Sequence, residues 1–370
     1  MLIGVPKEIK NNEYRVGITP TGVRELIAYG HQLIIQQDAG ASIGLTDSDY
    51  RAAGAEIVME AEEVFARADL IVKVKEPQAQ ECDMLHSGQI LFTFLHLAPD
   101  PSQTKKLIAA DVIAIAYETV TDDLGGLPLL APMSEVAGRM AIQAGAHALE
   151  KEQGGSGVLL AGVPGVLPAK VVIIGGGVVG SNAARMALGL GADVVMIDRT
   201  VARLRQLDKQ FGSQLKTLYS TRDAIEKVIS DADLVIGAVL VPGTMAPKLI
   251  TRDMLAGMKK GAVLLDVAID QGGCFETSKP TTHQNPIYEV DGIVHYCVAN
   301  MPGAVAQTSA IALTHATLPF VLALANKGYI QAISEDKHLR NGLNVYRGKV
   351  TCKGVAESLG YDYVDAAELI

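Results

Sequence analysis

Residues 170–180 read KVVIIGGGVVG, and residues 194–198 read VVMID. The first run opens as a short apolar stretch bounded by glycine, the pattern of a strand buried on both faces of a parallel sheet. It passes into glycines at 175, 177 and 180 and then into a run of helical character. Gly175 permits a tight strand-to-helix turn, Gly177 lets the backbone approach a pyrophosphate, and Gly180 lets the helix pack closely on the strand. The phosphates then rest on the helix N-terminus, where Val178 and Val179 begin the first turn. Asp198 closes the next strand, at the spacing of about 20 residues where an acid holds the ribose hydroxyls of a dinucleotide. Strand, turn, helix and acid together point to a dinucleotide-binding domain rather than a bare glycine-rich turn. An acid at this position repels a ribose phosphate and so favours NAD over NADP. Arg199 and Arg203, either of which can reach such a phosphate, leave the second cofactor open.

The same rhythm extends in both directions. Apolar runs at 170–174, 193–198, 215–220, 233–238, 262–267 and 294–298 make six strands alternating with helix-like segments. Upstream, 32–36, 70–74, 90–95 and 112–117 form another series, with helical stretches at 21–29 and 61–66. Gly125, Gly126, Pro128 and Pro132 break the rhythm, and a long helical stretch runs from Ser134 to about Lys151. After Pro302 come an apolar helix over 307–326 and a tail with too few strands to fold alone. The expected fold class is α/β with two Rossmann-like domains. An NAD-binding domain, residues 131–304, is inserted into a discontinuous substrate domain made of residues 1–130 and 305–370. The linking helices are expected to form a hinge, with the chemistry in the cleft between the domains. No internal sequence repeat accompanies this layout.

A chain of 370 residues suits two or three domains of roughly 100 to 200 residues each. Forty-one acids against 32 bases give a net charge of -9, and no basic cluster offers the phosphate-neutralising footprint of a nucleic-acid binder. Cys82, Cys274, Cys297 and Cys352 stand singly, which argues against a zinc site or disulfide framework and suits a reducing cytoplasm. The amino terminus, MLIGVPKE, lacks the apolar core and cleavage site of a signal peptide. The stretch 311–325, which contains His315, Thr317 and Pro319, falls short of the ~20 apolar residues of a span and is expected to be a buried helix. A cytoplasmic protein with no membrane or nucleic-acid partner is expected.

Groups that fix a carboxylate or move a proton belong just past the carboxyl ends of strands in such a sheet. His96 ends the run 90–95, where it is either an acid/base near neutral pH or a partly buried histidine bonded to backbone. Asp270 follows the run 263–268 and precedes Gly272 and Gly273, as a ribose or substrate contact or as a turn cap. Lys73 and Lys75 lie two apart on a strand that stops at Pro77, so both are expected on one face, with a substrate carboxylate as a partner for at least one. Arg15, in the polar loop 11–20, is either a two-pronged carboxylate ligand or a solvated side chain.

These residues also carry a resemblance that spans essentially the whole chain. The segments GVPKEI at 4–9, EYRV at 13–16, VKVKEP at 72–77, LHL at 95–97 and DVAIDQGG at 266–273 closely resemble bacterial alanine dehydrogenases. The resemblance implies conversion of L-alanine to pyruvate and ammonia, with Arg15 and Lys75 binding the substrate and His96 and Asp270 as the acid/base pair. It also implies an NAD site lined by Ser134, Asp198, Arg203, Ser220, Val239, Leu240, Val267, Val298 and Met301. Ala268, Ile269, Lys279, Ala299 and Asn300 complete that lining, Lys279 standing where relatives carry arginine. Some relatives place a metal-binding Glu and His in the late helix; Ala323 and Lys327 occupy those positions, so no metal is expected. A homohexamer is the implied assembly. The NAD-binding domain of proton-translocating transhydrogenase is similar over most of this length. However, it lacks the Lys75-Glu76-Pro77 and Asp270 features and inserts an extra loop that is missing here. Saccharopine-forming lysine enzymes share the opening motif but act on a larger substrate. A non-catalytic NAD-binding protein would bind cofactor without turnover.

Overall fold

The computed structural model describes residues 1–239 and 246–369, which fall into two compact units. Unit 1 comprises Met1–Met133 and the chain from Val305 onward, and unit 2 is Ser134–Ala304. Unit 1 contains β1 (Leu2–Val5), β2 (Gln32–Gln36), β3 (Glu56–Val58), β4 (Leu70–Val72), β5 (Ile90–Thr93) and β6 (Ile113–Ala116). The chain's last part adds β14 (Leu343–Tyr346) and β15 (Lys349–Val350). The sheet order is β3-β2-β1-β4-β5-β6-β14-β15, parallel through β6 and antiparallel beyond it. Unit 2 contains β7 (Lys170–Ile174), β8 (Asp193–Asp198), β9 (Leu215–Tyr219), β10 (Leu234–Gly237), β11 (Val263–Asp266), β12 (Ile287–Val290) and β13 (Ile293–Tyr296). Its order is β9-β8-β7-β10-β11-β13-β12, with only β12 antiparallel.

Both units are α/β sheets wound outward from the centre in the same sense. Each has a point where successive connections depart to opposite sides, between β1 and β4 in one and between β7 and β10 in the other. The strands are apolar throughout because both sheet faces are covered. In unit 1, Ile3, Leu33, Ile35, Leu70, Val72, Ile90 and Phe92 enter one core, while Ile34, Ile71, Leu91 and Ala114 enter the other. In unit 2, Val171, Ile173, Val194, Met196, Leu234 and Ile236 face one side, and Val172, Ile174, Val195, Ile197 and Val235 the other. Each of these Val, Leu, Ile, Phe and Met side chains contributes about 1.5–3 kcal/mol on burial.

Several element bounds differ from the sequence expectation. The strands expected over 70–74 and 90–95 end at Val72 and Thr93, because beyond those points side chains take up part of the backbone bonding beside the remaining bonds between the two chains. The short strands β1, β3 and β12 are additional to those expected, too brief to show a clear period in sequence. Lys73 and Lys75 do not share one strand face. Lys73 lies past the end of β4 and is fully buried, while Lys75 is partly exposed. The late helix runs Ala306–Lys327, longer than expected. Among the described residues, Met301–Lys327 is long and apolar enough by length and composition to cross a membrane. Its Ala310, Leu313, Val321 and Leu324 belong to the core of unit 1. Leu313 has no exposed surface. Leu313→Ala is therefore expected to lower unfolding stability by about 2–5 kcal/mol in chemical denaturation followed by circular dichroism; an unchanged midpoint would deny the helix this anchoring role.

Candidate active site

In unit 2 the glycine turn sits where the strand order reverses, the place where open α/β sheets bind ligands. Gly175 has φ +105°, and a Cβ there would lie 2.5 Å from the Ala238 carbonyl at the end of β10. A Cβ on Gly180 would lie 1.8 Å from the Gly175 carbonyl, so only glycine permits this closeness. At Gly177, by contrast, a Cβ would meet nothing within 4 Å. Gly177 is also the N-cap of the helix Val178–Gly189, which no side chain caps. An open glycine before an uncapped helix start fits a phosphate of a bound dinucleotide.

Around this turn, Asp198 accepts the Gly176 N–H at 2.8 Å and the Thr200 N–H at 2.7 Å. Arg203 Nε donates to the Gly176 carbonyl at 2.6 Å, and its Nη1 donates to Gln206. Ser220 donates its N–H to the Asp198 carbonyl at 3.0 Å, and Val239 follows Ala238 beside Gly175. Ser134 lies one helical turn before Gly138, whose backbone packs against the Val179 carbonyl at the helix start. The structure therefore gathers Gly175–Gly180, Asp198, Arg203, Ser220, Val239 and Ser134 near one end of the sheet. Leu240 lies outside the described residues.

Past β11, Asp270 is exposed on the 3-10 turn Val267–Gln271, which also carries Ala268 and Ile269. Asp266, fully buried, organises this turn. Its carboxylate accepts N–H bonds from Ala268, Cys274 and Phe275 and the Ser278 hydroxyl. Thr281 bridges Val298 and receives the Ala299 N–H, which brings the Lys279 segment alongside Val298–Met301. The Lys279 N–H donates to the Tyr288 hydroxyl at 2.7 Å.

In unit 1, Arg15 is not solvated as a lone loop arginine would be. It is 2% exposed and held by Glu13 through two bonds of 2.6 Å, while Nη1 reaches the Met133 sulfur at 3.0 Å. Gly17, two residues on, lies against the Val72 carbonyl, which places the Arg15 loop at the end of β4. Lys75 follows on that same strand exit. Its ammonium and that of Lys10 outweigh the effect of burial on Glu76 and hold this carboxyl below its ordinary range. His96, past β5, has φ +47°, a strained backbone for a non-glycine residue. Glu118 holds that conformation by accepting the His96 N–H at 2.6 Å and the Leu95 N–H at 3.2 Å. Its Oε1 lies 4.0 Å from His96 Nδ1, and the Phe94 ring stacks on the imidazole at 5.8 Å between centroids. Thr93 Oγ1 donates to the Lys75 carbonyl at 2.9 Å and ties the two strand exits together. Arg15, Lys75 and His96 thus all lie at the carboxyl edge of β4 and β5.

Two family models match the chain: the alanine dehydrogenase/PNT N-terminal domain over residues 4–137 and the C-terminal domain over 141–353. The chain belongs to the alanine dehydrogenase/PNT family. An alanine dehydrogenase of Halomonas elongata is 62% identical over 370 residues, all of both chains. A solved structure of an L-alanine dehydrogenase is 50% identical, with a TM-score of 0.94, over 97% of this chain and 99% of that one. The transhydrogenase from Sinorhizobium meliloti, at 23% identity and a TM-score of 0.83 over 95% and 100% of the two chains, shares the fold.

Sequence reasoning assigned no role to Glu8, Glu13, Glu118 or Met133. Glu118 stands two residues past β6, so the carboxyl-end rule that selected His96 applies to it equally. Glu76 supplies a pH test. Because its carboxyl titrates below the ordinary 4.5, the stability that it contributes is complete above that value and is lost as pH falls through the lowered one. The stability difference between wild type and Glu76→Gln is expected to be largest near neutrality and to close in acid. A difference independent of pH would show that the Lys10 and Lys75 charges do not act on Glu76.

Proposed function

We propose that the chain catalyses the reversible NAD-dependent oxidative deamination of L-alanine to pyruvate and ammonia. The observation that carries this is the grouping of Arg15, Lys75 and His96 at one sheet edge: two cations for a carboxylate beside an imidazole for protons. Full-length similarity to proteins named alanine dehydrogenase supports the substrate. The family uses a nicotinamide cofactor. The choice of NAD is supported by Asp198, whose carboxylate is fixed toward the glycine turn, and by Arg203, whose Nε is bonded to Gly176.

Glu13 locks the Arg15 guanidinium in one orientation, so this residue meets the alanine carboxylate with little ordering cost. Lys75 adds an ammonium at the same end of the substrate. A nicotinamide cofactor held by the Gly175–Gly180 turn and Asp198 would supply the acceptor for the hydride of the alanine Cα; once the substrate ammonium has given up a proton, loss of that hydride leaves an iminium. His96 takes a proton from the water that attacks the iminium carbon, passes it to the amine nitrogen, and takes up the hydroxyl proton as ammonia departs and the carbonyl forms. Asp270 is the second proton-handling group. Exposed Leu159, Val163, Val166 and Leu167 in unit 2 support self-association, and a homohexamer of cytoplasmic location completes the proposal.

The decisive experiment is an absorbance assay of NAD or NADP reduction with L-alanine, D-alanine, L-serine, glycine and L-lysine. Rapid turnover confined to NAD and L-alanine is expected; NAD binding without any turnover would refute the reaction. His96→Ala is expected to lower kcat by on the order of 10² to 10⁴ while leaving the Kd for NAD nearly intact, and a turnover close to wild type would remove His96 from this role. Asp198→Ser is expected to weaken NAD binding and raise NADP use. Unchanged preference in steady-state kinetics would dissociate Asp198 from cofactor choice.

A further inference from the structure

The reversal point of unit 1, between β1 and β4, holds a buried charge cluster that has no part in the chemistry above. The two strands share only the register pairs Ile3 with Leu70 and Gly4 with Ile71 before their chains separate. Glu8, three residues past β1, fills the gap with a carboxylate and is 7% exposed. Its Oε1 accepts the Val74 N–H at 2.7 Å and the Lys75 N–H at 3.4 Å, and its Oε2 accepts Lys73 Nζ at 3.2 Å. Lys73, with no exposed surface, also donates to Glu81 at 2.6 Å.

The opposite side of the same segment is closed as well. The Lys73 N–H donates to the Phe92 carbonyl at 3.2 Å, and the Phe94 N–H donates to the Val74 carbonyl at 3.3 Å. The Tyr117 hydroxyl donates to the Lys73 carbonyl at 3.0 Å, and the Thr93 hydroxyl to the Lys75 carbonyl at 2.9 Å. Every main-chain polar group of Lys73, Val74 and Lys75 is therefore bonded, although the regular strand has ended at Val72. Only one of these partners comes from the β1 side, and it is a carboxylate whose burial needs a buried lysine as counter-charge.

We propose that Glu8 is a positioning residue for Lys75, standing in for the missing β1 neighbour and fixing the backbone from which Lys75 reaches the substrate. Lys73, itself anchored by Glu81, supplies the counter-charge that holds the Glu8 carboxylate in place. The inference rests on the assignment of Lys75 to substrate binding, so its test must separate the two. Pyruvate binding to the full-length protein saturated with NADH, without ammonia, reads affinity with no turnover. A displacement of about 1 Å in a binding group is enough for large losses, so Glu8→Ala is expected to weaken pyruvate roughly tenfold or more while the Kd for NADH stays as in wild type. Glu8→Gln keeps a carbonyl acceptor and is expected to restore most of that affinity.

On a Lys75→Met background, Glu8→Ala is expected to add no further loss, since the group that it positions is gone. An equal loss on both backgrounds, or no loss from Glu8→Ala while Lys75→Met weakens binding, overturns the role of Glu8 alone. Wild-type affinity in Lys75→Met overturns the assignment of Lys75 and the inference with it. Should Glu8→Ala fail to fold, Glu8→Asp carries the same test. It keeps the charge for Lys73 but is one methylene shorter and so is expected to lose the bonds to Val74 and Lys75, with the same loss of affinity.

Discussion

Where parallel strands part company at the centre of an open sheet, the backbone keeps its N–H and C=O groups but loses the neighbour that would bond them. Buried main-chain polar groups left unpaired are costly, so each strand exit needs another partner. In both units that partner is repeatedly a carboxylate. Glu8 receives Val74 and Lys75, Glu118 receives Leu95 and His96, Asp198 receives Gly176 and Thr200, and Asp266 receives Ala268, Cys274 and Phe275. The residues assigned to chemistry sit on, or beside, the segments held in this way.

The arrangement has an electrostatic consequence. A carboxylate with charge-assisted bonds to backbone N–H groups is stable in a partly buried place where an unpaired charge would not be. At His96 the carboxylate does two things at once: it holds a left-handed backbone and sets a negative group 4.0 Å from the imidazole. At Arg15 the two-point contact with Glu13 does the corresponding thing for a cation, replacing the mobility of a loop arginine with one orientation. Rigidity at the strand exits follows from backbone satisfaction and serves the chemistry without further structure.

The local parts of this protein were legible in the amino-acid order. The strands β7 and β8 have the bounds read from their apolar runs, because a run buried on both faces carries its own limits in hydrophobicity. The glycine turn was legible because only glycine tolerates the contacts at Gly175 and Gly180. In unit 1 two strands were read too long where side chains take over part of the ladder, as at Lys73 to Lys75. Nothing in the spacing of Lys73 announced burial, since its counter-charges, Glu8 and Glu81, come from separate elements.

Sequence alone therefore decided the α/β class, the glycine turn with its acid, and the residue types near the strand ends. These depend on short-range periodicity and on the steric limits of single residues. Only the folded chain decided that both sheets are wound in the same order, that Lys73 is structural while Lys75 is partly open, and that Glu118 and Glu13 hold His96 and Arg15. Those outcomes depend on which strand lies beside which, and so on contacts between residues far apart along the chain. No local pattern encodes a partner that arrives from 65 residues away, as Glu8 does at Lys73.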